Sequence, residues 1–176
     1  MNIIDFFLME QQRLHSWMRA GVSDLTVDEW HYQGAGIANS IAFIVWHCVR
    51  TEDNILRFIL QGRPPIWNEG NWHERLHLPP RVQGTGMVTE EARTFHIADP
   101  KLFMQYAEEV WREFEAYIAS ITDGGAELSA RTVMVKPIGN MQAIQAIGQV
   151  CITHCFAHYG EIAYMLGEMG KKGFPY

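Results

Sequence analysis

An uncharged run of 24 residues, 137–160, is the feature that most limits how this chain can fold. As a helix it is long enough to cross a hydrocarbon core about 30 Å thick. Polar side chains interrupt the run, however, and each of them would need a hydrogen-bonding partner in lipid. They are Asn140, Gln142, Gln145, Gln149, His154 and His158. We therefore interpret the run as a helix buried inside a protein fold and expect no contact with a membrane.

Helical periodicity predicts three further long helices before this run. The apolar stripes that predict them are Ile3, Phe7, Leu14 and Met18; then Ile37, Ile41, Ile44, Cys48, Ile55 and Ile59; then Phe103, Tyr106, Val110, Phe114, Tyr117 and Ile121. Asp99 and Pro100 suit the N-cap and first turn of the third helix. The fourth helix is predicted to begin near Gly139 or Asn140 and to end around 167–170.

Little else in the chain suggests regular structure. Residues 130–136 favour a short extended piece, but no alternation is strong enough to predict a sheet. Roughly 35 residues separate helices two and three, which is long for a connection in a compact domain. The expected fold is therefore all-α, a single domain over residues 1–176, built as a four-helix bundle with a long crossover between helices two and three.

Charge and cysteine content exclude several classes of function. The net charge is −6 and the basic residues are scattered, so the chain lacks the basic surface that nucleic acid requires. Three cysteines cannot form a complete set of disulfides, and all three fall in apolar segments. We expect a reduced, cytoplasmic protein with no nucleic-acid partner.

Two histidines in the uncharged run indicate a metal site. His154 and His158 lie one helical turn apart on the face that also carries Val150, so both imidazoles point into the predicted bundle. Two nitrogens at this spacing can converge on one ion. On helix two, His47 flanks the inward stripe and can lie opposite the pair. A divalent ion would satisfy all three buried rings at once, whereas the competing interpretation is three separately hydrogen-bonded core histidines.

The segments TVDEW, NSIAFIVWHCVRTEDNIL and THCFAHYGEIAYMLGEMGKKGFPY, with the spacing between them, resemble the DinB-like superfamily, also called the DinB/YfiT-like metalloenzymes. The resemblance runs from about residue 2 to the end of the sequence. It implies a four-helix bundle with one histidine ligand on the second helix and an H-x-x-x-H pair on the fourth. Carried onto this chain, it implies His47, His154 and His158 as ligands of a divalent metal, with zinc or nickel favoured.

Other residues near the predicted ligands have two interpretations each. Glu161, where relatives often have glutamine, either orients a ligand imidazole, acts as a catalytic base, or simply pairs with a neighbour. Cys151 is either a fourth ligand or a packing residue, and Glu52 either supports the site or forms an ordinary salt bridge. Asp53 is expected to turn outward. The remaining histidines are expected at the surface; they are His15, His31, His73, His77 and His96.

Three neutral imidazoles leave an ion positively charged and incompletely coordinated, which is typical of catalytic sites. Such an ion supports hydrolysis by ionising water, or thiol chemistry by ionising a thiol. The family resemblance implies a low-molecular-weight thiol such as mycothiol, bacillithiol or glutathione as cosubstrate. We therefore expect a metal-dependent thiol S-transferase acting on a small molecule, with the loop 63–75 covering the electrophile. The alternatives are a metal-dependent hydrolase and a non-catalytic, metal-stabilised stress or interaction protein.

A homodimer is also expected. Helix four carries apolar residues opposite its inward face, namely Ile152, Phe156 and Ala163, and a helix that is apolar all round is usually buried all round. Twofold dimers are the commonest oligomers, so a second copy would cover this outer face.

Overall fold

Local capping signals fix where the long helices begin. In the computed structural model, which describes residues 1–34, 36 and 39–175, the Asn2 side chain accepts a hydrogen bond from Asp5 N at 2.9 Å, and the Asp5 carboxylate accepts one from Asn2 N. Asp99 accepts from Leu102 N at 2.9 Å and Pro100 is the first helical residue, as the sequence predicted. These contacts satisfy N–H groups that a helix start would otherwise leave without partners.

The described residues form ten α-helices, two π-helical segments and two strands. The helices are α1 (Ile3–Val22), α2 (Val27–Trp30), α3 (Ile41–Asp53), α4 (Ile66–Glu69), α5 (Trp72–Leu76), α6 (Thr89–Thr94), α7 (Pro100–Ala119), α8 (Ala126–Ala130), α9 (Ala143–Gln145) and α10 (His154–Glu168). The π-helical segments are Asn54–Leu60, which extends α3, and Ala146–Thr153, which joins α9 to α10. The strands are β1 (Thr132–Val135) and β2 (Gly139–Gln142).

Four long helices pack into a bundle, as predicted. Helix α1 lies against α7 and α10, and α3 lies against the same two helices. The buried stripes mostly match the periodicity of the sequence, although Ile4 rather than Ile3 faces the core at the start of α1. Ile37, assigned to the stripe of helix two, falls outside the described residues.

A β-hairpin between α8 and α9 corrects the predicted start of helix four. Strands β1 and β2 pair antiparallel, with Val135 opposite Gly139, across a turn that contains a cis Lys136–Pro137 peptide bond. Gly139 and Asn140, proposed as the helix start, therefore lie in β2, and the helix begins at Ala143. Proline lacks the N–H that a helix needs, and Gly139 has a φ of 111°, so both residues favour the turn. The fold is mostly helical rather than purely α.

Residues 61–99 connect the second long helix to α7 and carry the short helices α4, α5 and α6. The Asp53 carboxylate fixes this segment by accepting hydrogen bonds from Ile66 N at 2.8 Å, Trp67 N at 2.9 Å and the Tyr106 hydroxyl at 2.8 Å. Asp53 is fully buried, so the prediction that it turns outward was wrong. Its side chain caps α4, which explains why a carboxylate at this position faces inward.

The outer face of α10 is covered within the chain itself. Ile152 and Ala163 are buried, and the Phe156 ring packs edge-on against Trp17 at 5.4 Å. The C-terminal tail lies over α10, where Gly173 approaches the Ala163 carbonyl so closely that an added Cβ would lie 2.5 Å from its oxygen. Intrachain contacts therefore bury residues that the sequence analysis assigned to a dimer interface. Within the described residues, no helix combines the length and apolar character needed to span a bilayer.

Candidate metal centre

Three imidazoles from two helices converge at one end of the α3–α10 interface. His47 comes from α3, and His154 and His158 come from successive turns of α10. One nitrogen from each ring lies within 4.8 Å of the others, and the Nε2 atoms of His47 and His154 are 3.3 Å apart. The sequence-predicted ligands are therefore together in space.

Each ring uses its other nitrogen to contact an oxygen acceptor. His47 Nδ1 lies 2.5 Å from the Gln83 carbonyl oxygen, His154 Nδ1 lies 3.1 Å from that of Val150, and His158 Nδ1 lies 3.1 Å from Glu161 Oε2. Because a carbonyl oxygen only accepts, Nδ1 must carry the proton in His47 and His154. Their Nε2 atoms then face each other with unshared lone pairs, as they do in metal sites whose ligands are oriented by outer hydrogen bonds.

The spacing of these atoms fits a divalent ion. Two nitrogens that bind tetrahedral zinc at 2.0–2.1 Å are separated by about 3.3 Å, which equals the observed distance between the Nε2 atoms of His47 and His154. Without an ion, two lone pairs at this distance repel each other. The donor set therefore fits a metal held by His47, His154 and His158, with Nε2 as the expected donor atom of each ring.

The π-helical segment before α10 contributes to this orientation. His154 N bonds to the Gln149 carbonyl, five residues earlier, instead of to that of Val150 as in an α-helix. The Val150 carbonyl accepts a hydrogen bond from the His154 ring. Local π-helical turns are frequently found at functional sites, and this one aims a ring at the cluster.

Burial keeps two of the three rings neutral. Desolvation, reinforced by the neighbouring imidazoles, lowers the pKa of His47 to about 4. Desolvation and the nearby His158 ring also lower the pKa of His154. A neutral imidazole has a lone pair to offer a metal, so both rings are ready to bind one at neutral pH.

The loop that orients His47 was not predicted from the sequence. Gln83 supplies the carbonyl oxygen, and Gly84 follows with a φ of 90°. A Cβ at Gly84 would lie 2.9 Å from Phe43 Cζ and 3.2 Å from His47 Nδ1, so only glycine allows this close approach. The glycines of QGTG (83–86) were the available signal, but a backbone acceptor leaves no mark of its own in a sequence.

A cavity of about 400 Å³ opens onto the three histidines. Its walls are mainly apolar and include Phe43 and Ile138, while Thr51, Asn54 and Gln149 contribute polar groups. In the described part of the chain, only the three histidines form a cluster of potential metal ligands here, so no fourth protein ligand closes the site. The arrangement leaves room beside an ion for a small molecule.

Comparison with known proteins identifies the family. A sequence model of the DinB superfamily matches residues 9–162. The chain belongs to the DinB superfamily. None of the proteins with curated functions matches it.

Two solved structures share the DinB fold of this chain. A conserved protein from Enterococcus faecalis superposes with a TM-score of 0.81 at 20% identity, covering 97% of this chain and 99% of that one. YfiT from Bacillus subtilis superposes with a TM-score of 0.62 at 13% identity, covering 96% of this chain and 89% of its own. YfiT is described as a probable metal-dependent hydrolase with an unusual four-helix bundle topology.

Within this DinB fold, Glu161 lies beside the cluster, in contact with the His158 ring. Its carboxylate is largely exposed and contacts Nδ1 of His158, the nitrogen left over when Nε2 serves as ligand. Cys151 is fully buried, and burial, with Glu52 and Cys48 nearby, raises its thiol pKa well above the usual value. It is absent from the described ligand cluster, so packing is the role that its position supports.

Glu52 belongs to a different buried cluster, between α1, α3 and α7. It accepts a hydrogen bond from the Gln11 amide at 2.7 Å and lies 3.2 Å from His15 Nε2. The other ring nitrogen, His15 Nδ1, lies 2.6 Å from Glu115 Oε1, and the ring stacks on Trp111. His15 is therefore fully buried, and its predicted surface position was wrong. Its partners lie 37 and 100 residues away, so its polar local sequence could not reveal them.

The loop 63–75 does not cover the cavity, contrary to expectation. Trp67 and Trp72 are buried, and both rings pack against Tyr106 of α7. Among the described residues, the loop 83–85 and residues 135–138 of the hairpin line the cavity together with residues of the helices. The aromatic residues of 63–75 therefore help to form the hydrophobic core.

Proposed function

We propose that this protein is a divalent-metal-dependent enzyme that acts on a small molecule. The supporting observation is the open cavity beside three converging imidazoles that no fourth protein ligand closes in the described part of the chain. Structural metal sites use a complete set of protein ligands, whereas catalytic sites keep a position free. An ion that only stabilised the fold would not require an open cavity beside it.

Among metal-dependent reactions, we propose thiol S-transfer. An ion held by three neutral imidazoles would supply Lewis acidity, lowering the pKa of a bound thiol or water toward neutrality or below. The described lining of the cavity holds no aspartate or glutamate, and its only histidines are the three proposed ligands. A water nucleophile usually needs a side chain that acts as a general base, such as the catalytic glutamate of metalloproteases. A thiol that is already ionised needs no general base. The cavity therefore favours thiol chemistry.

In this proposal, the chain's own residues position the ligands and the substrates. The Gln83 and Val150 carbonyls and the Glu161 carboxylate hold the three rings in place. Thr51 and Asn54 supply hydrogen-bonding groups in the cavity, while its apolar walls exclude water around the reacting atoms. We assign Glu161 to positioning of His158, because it contacts Nδ1 of that ring.

Zinc or nickel is the proposed metal, since imidazole suits both. The three cysteines are unpaired and buried, which fits a reducing compartment such as the cytoplasm, and we propose that location. Elemental analysis of the purified protein identifies the ion directly.

Cobalt substitution tests the proposed reaction. Adding 2-mercaptoethanol to the cobalt protein should produce a sulfur-to-cobalt charge-transfer band that ethylene glycol, its oxygen analogue, does not produce. Conjugation of the thiol to 1-chloro-2,4-dinitrobenzene should require the metal and disappear in His47→Ala.

Hydrolysis is the competing reaction, suggested by the description of YfiT as a probable metal-dependent hydrolase. Metal-dependent cleavage of 4-nitrophenyl acetate without thiol-induced spectral change would favour it over S-transfer. If neither reaction occurs and no thiol alters the spectrum, the enzyme proposal fails and a metal-stabilised stress or interaction protein becomes the better account.

A further inference from the structure

A second, outer groove adjoins the cavity beside the three histidines. It has a volume of about 660 Å³ and shares part of its lining with the cavity. The shared residues are Asn54, Gln83, Thr85, Lys136 and Pro137. Because these residues line both spaces, the groove and the cavity lie side by side, and a ligand seated in the groove lies next to the three histidines.

The outer groove carries positive charge in an acidic protein. Arg81 lines it, and Lys136 lines both the groove and the metal cavity. Among the described residues, no aspartate or glutamate lines either space, and neither cation forms an ion pair. The whole chain has 20 acidic and 14 basic residues, so an acid-free surface with two unpaired cations contrasts with its surroundings. Such a surface attracts anions.

Exposed apolar side chains lie in the same groove. Phe58 is 59% exposed, Met134 is 50% exposed and Val82 is 42% exposed, and all three line it. Covering apolar surface is favourable by roughly 25 cal/mol per Å². A ligand that places a hydrocarbon or aromatic body on these side chains therefore gains binding energy that a purely ionic ligand does not.

We propose that the outer groove recognises the carboxylate-bearing part of an amphipathic substrate. The carboxylate pairs with Arg81 and Lys136, the apolar body lies on Phe58 and Met134, and the reactive end reaches the three-histidine cavity. Arginine suits this task because its guanidinium can bind a carboxylate through two parallel hydrogen bonds. The inference rests on the proposed function for the reactive end but not for the binding of the anion.

Binding to metal-stripped protein tests the groove without any turnover. After EDTA treatment, 4-phenylbutyrate should bind at least tenfold more tightly than 4-phenylbutanol by calorimetry, and rising salt should weaken this preference. Stripping the protein excludes coordination of the carboxylate by the ion. Equal affinities, or no measurable binding of the acid, would overturn the proposal.

Variants then assign the preference to the two cations. The double variant Arg81→Gln, Lys136→Gln should bind the acid and the alcohol equally. The matched double variant Lys101→Gln, Lys172→Gln removes two other positive charges and should keep the wild-type preference. If the first variant keeps the preference for the acid, or the second variant loses it, then Arg81 and Lys136 are not its cause and the proposal is wrong.

Kinetics distinguish the thiol from the electrophile as the source of the carboxylate. In Arg81→Gln, Lys136→Gln, KM should rise for whichever of the two carries the carboxylate, with a smaller effect on kcat, because the cations bind the carboxylate in the ground state and in the transition state alike. Absence of metal-dependent turnover with the acid preference intact refutes the proposed function alone. Turnover with no acid preference refutes the groove alone.

Discussion

Each imidazole of the metal centre divides its two nitrogens between different partners. In His47 and His154 one nitrogen donates to a backbone carbonyl and the other faces the cluster. This division fixes the tautomer and the ring direction before any ion binds. Because the rings need little rearrangement to bind an ion, we expect each of them to contribute strongly to metal affinity.

His154→Ala should lose most of the bound metal and lower the melting temperature. Two nitrogens remain to hold an ion that the native site holds with three, and ion binding stabilises the folded state. We expect about one divalent ion per chain in the native protein, measured by elemental analysis. The native His73 ring contacts the Trp67 carbonyl, away from the cluster. His73→Ala should therefore keep the metal content and melting temperature of the native protein. Full occupancy and unchanged melting of His154→Ala would exclude the site.

Gly84→Ala should weaken metal binding about 10–100-fold, the usual effect of disturbing a group that orients a ligand. The new methyl group would press on Phe43 and His47 and displace the loop whose carbonyl orients the His47 ring. Gly86→Ala is the matched control: its φ is 73°, but a Cβ there meets no atom within 4 Å. Both variants should lose about 1–3 kcal/mol of stability through backbone strain. Equal metal affinity in the two, by competition with a chromogenic chelator, would contradict this role for the loop.

At the scale of elements, the helices and the extended piece at 130–136 could be predicted from the sequence, whereas the second strand and the hairpin could not. A buried helix face repeats every three to four residues, so α7 stands out through Phe103, Val110 and Phe114. Residues 132–142 instead form two four-residue strands in which only Val135 is buried, and strands this short leave no clear period in the sequence. His154 and His158 could be predicted as a pair because their spacing of four residues places them on one face of a helix. The Gln83 carbonyl and the outer groove depend on tertiary contacts between distant segments.

The connection between α3 and α7 depends on one carboxylate. Asp53→Ala should destabilise the fold by at least about 3 kcal/mol, because Ile66 N, Trp67 N and the Tyr106 hydroxyl would lose their buried acceptor. Asp123 also accepts two backbone N–H groups, from Gly125 and Glu127, but at the surface where water can replace it. Asp123→Ala should therefore cost clearly less than Asp53→Ala. Urea unfolding measures both values, and similar losses would show that the Asp53 contacts contribute little.

At the scale of the whole molecule, stability should depend on pH through His15, which links α1, α3 and α7. Burial lowers the pKa of His15, but the Glu52 and Glu115 carboxylates outweigh this effect and raise it above 6.5. The folded protein thus holds this proton more tightly than the unfolded chain does. The resulting stabilisation is fully present below pH 6.5 and is lost as pH rises through the folded-state pKa.

His15→Ala should reveal this dependence. Near pH 6 it should cost about 3–5 kcal/mol, since it leaves the buried Glu52 carboxylate and the partly exposed Glu115 carboxylate without the cation between them. The difference from the native protein should shrink as pH rises, as measured by urea unfolding across about pH 5–9. His73→Ala should follow the native curve. A cost that stays constant or grows with pH would show that His15 is neutral in the folded protein.

Formation of a homodimer remains a prediction, but the expected interface is on α1 instead of on the outer face of α10. Ile152 and Ala163 are covered within the chain, whereas Ile3, Phe6 and Met9 of α1 are each at least 40% exposed. We expect a homodimer through this part of α1, with a mass by light scattering of about 40 kDa rather than the 20.2 kDa of one chain. Phe6→Glu should return the monomer, and Val88→Glu, at an exposed apolar residue elsewhere, should not. A native monomer at micromolar concentration would contradict the dimer.

His47 and His154, whose Nε2 atoms are 3.3 Å apart, are separated by 107 residues in sequence. Joining them requires a long loop to close, and such long-range contacts are slow to form during folding. The complete donor set therefore exists only after α3 and α10 have docked. An ion that binds only at that stage should therefore slow unfolding of the native protein and have little effect on the folding rate.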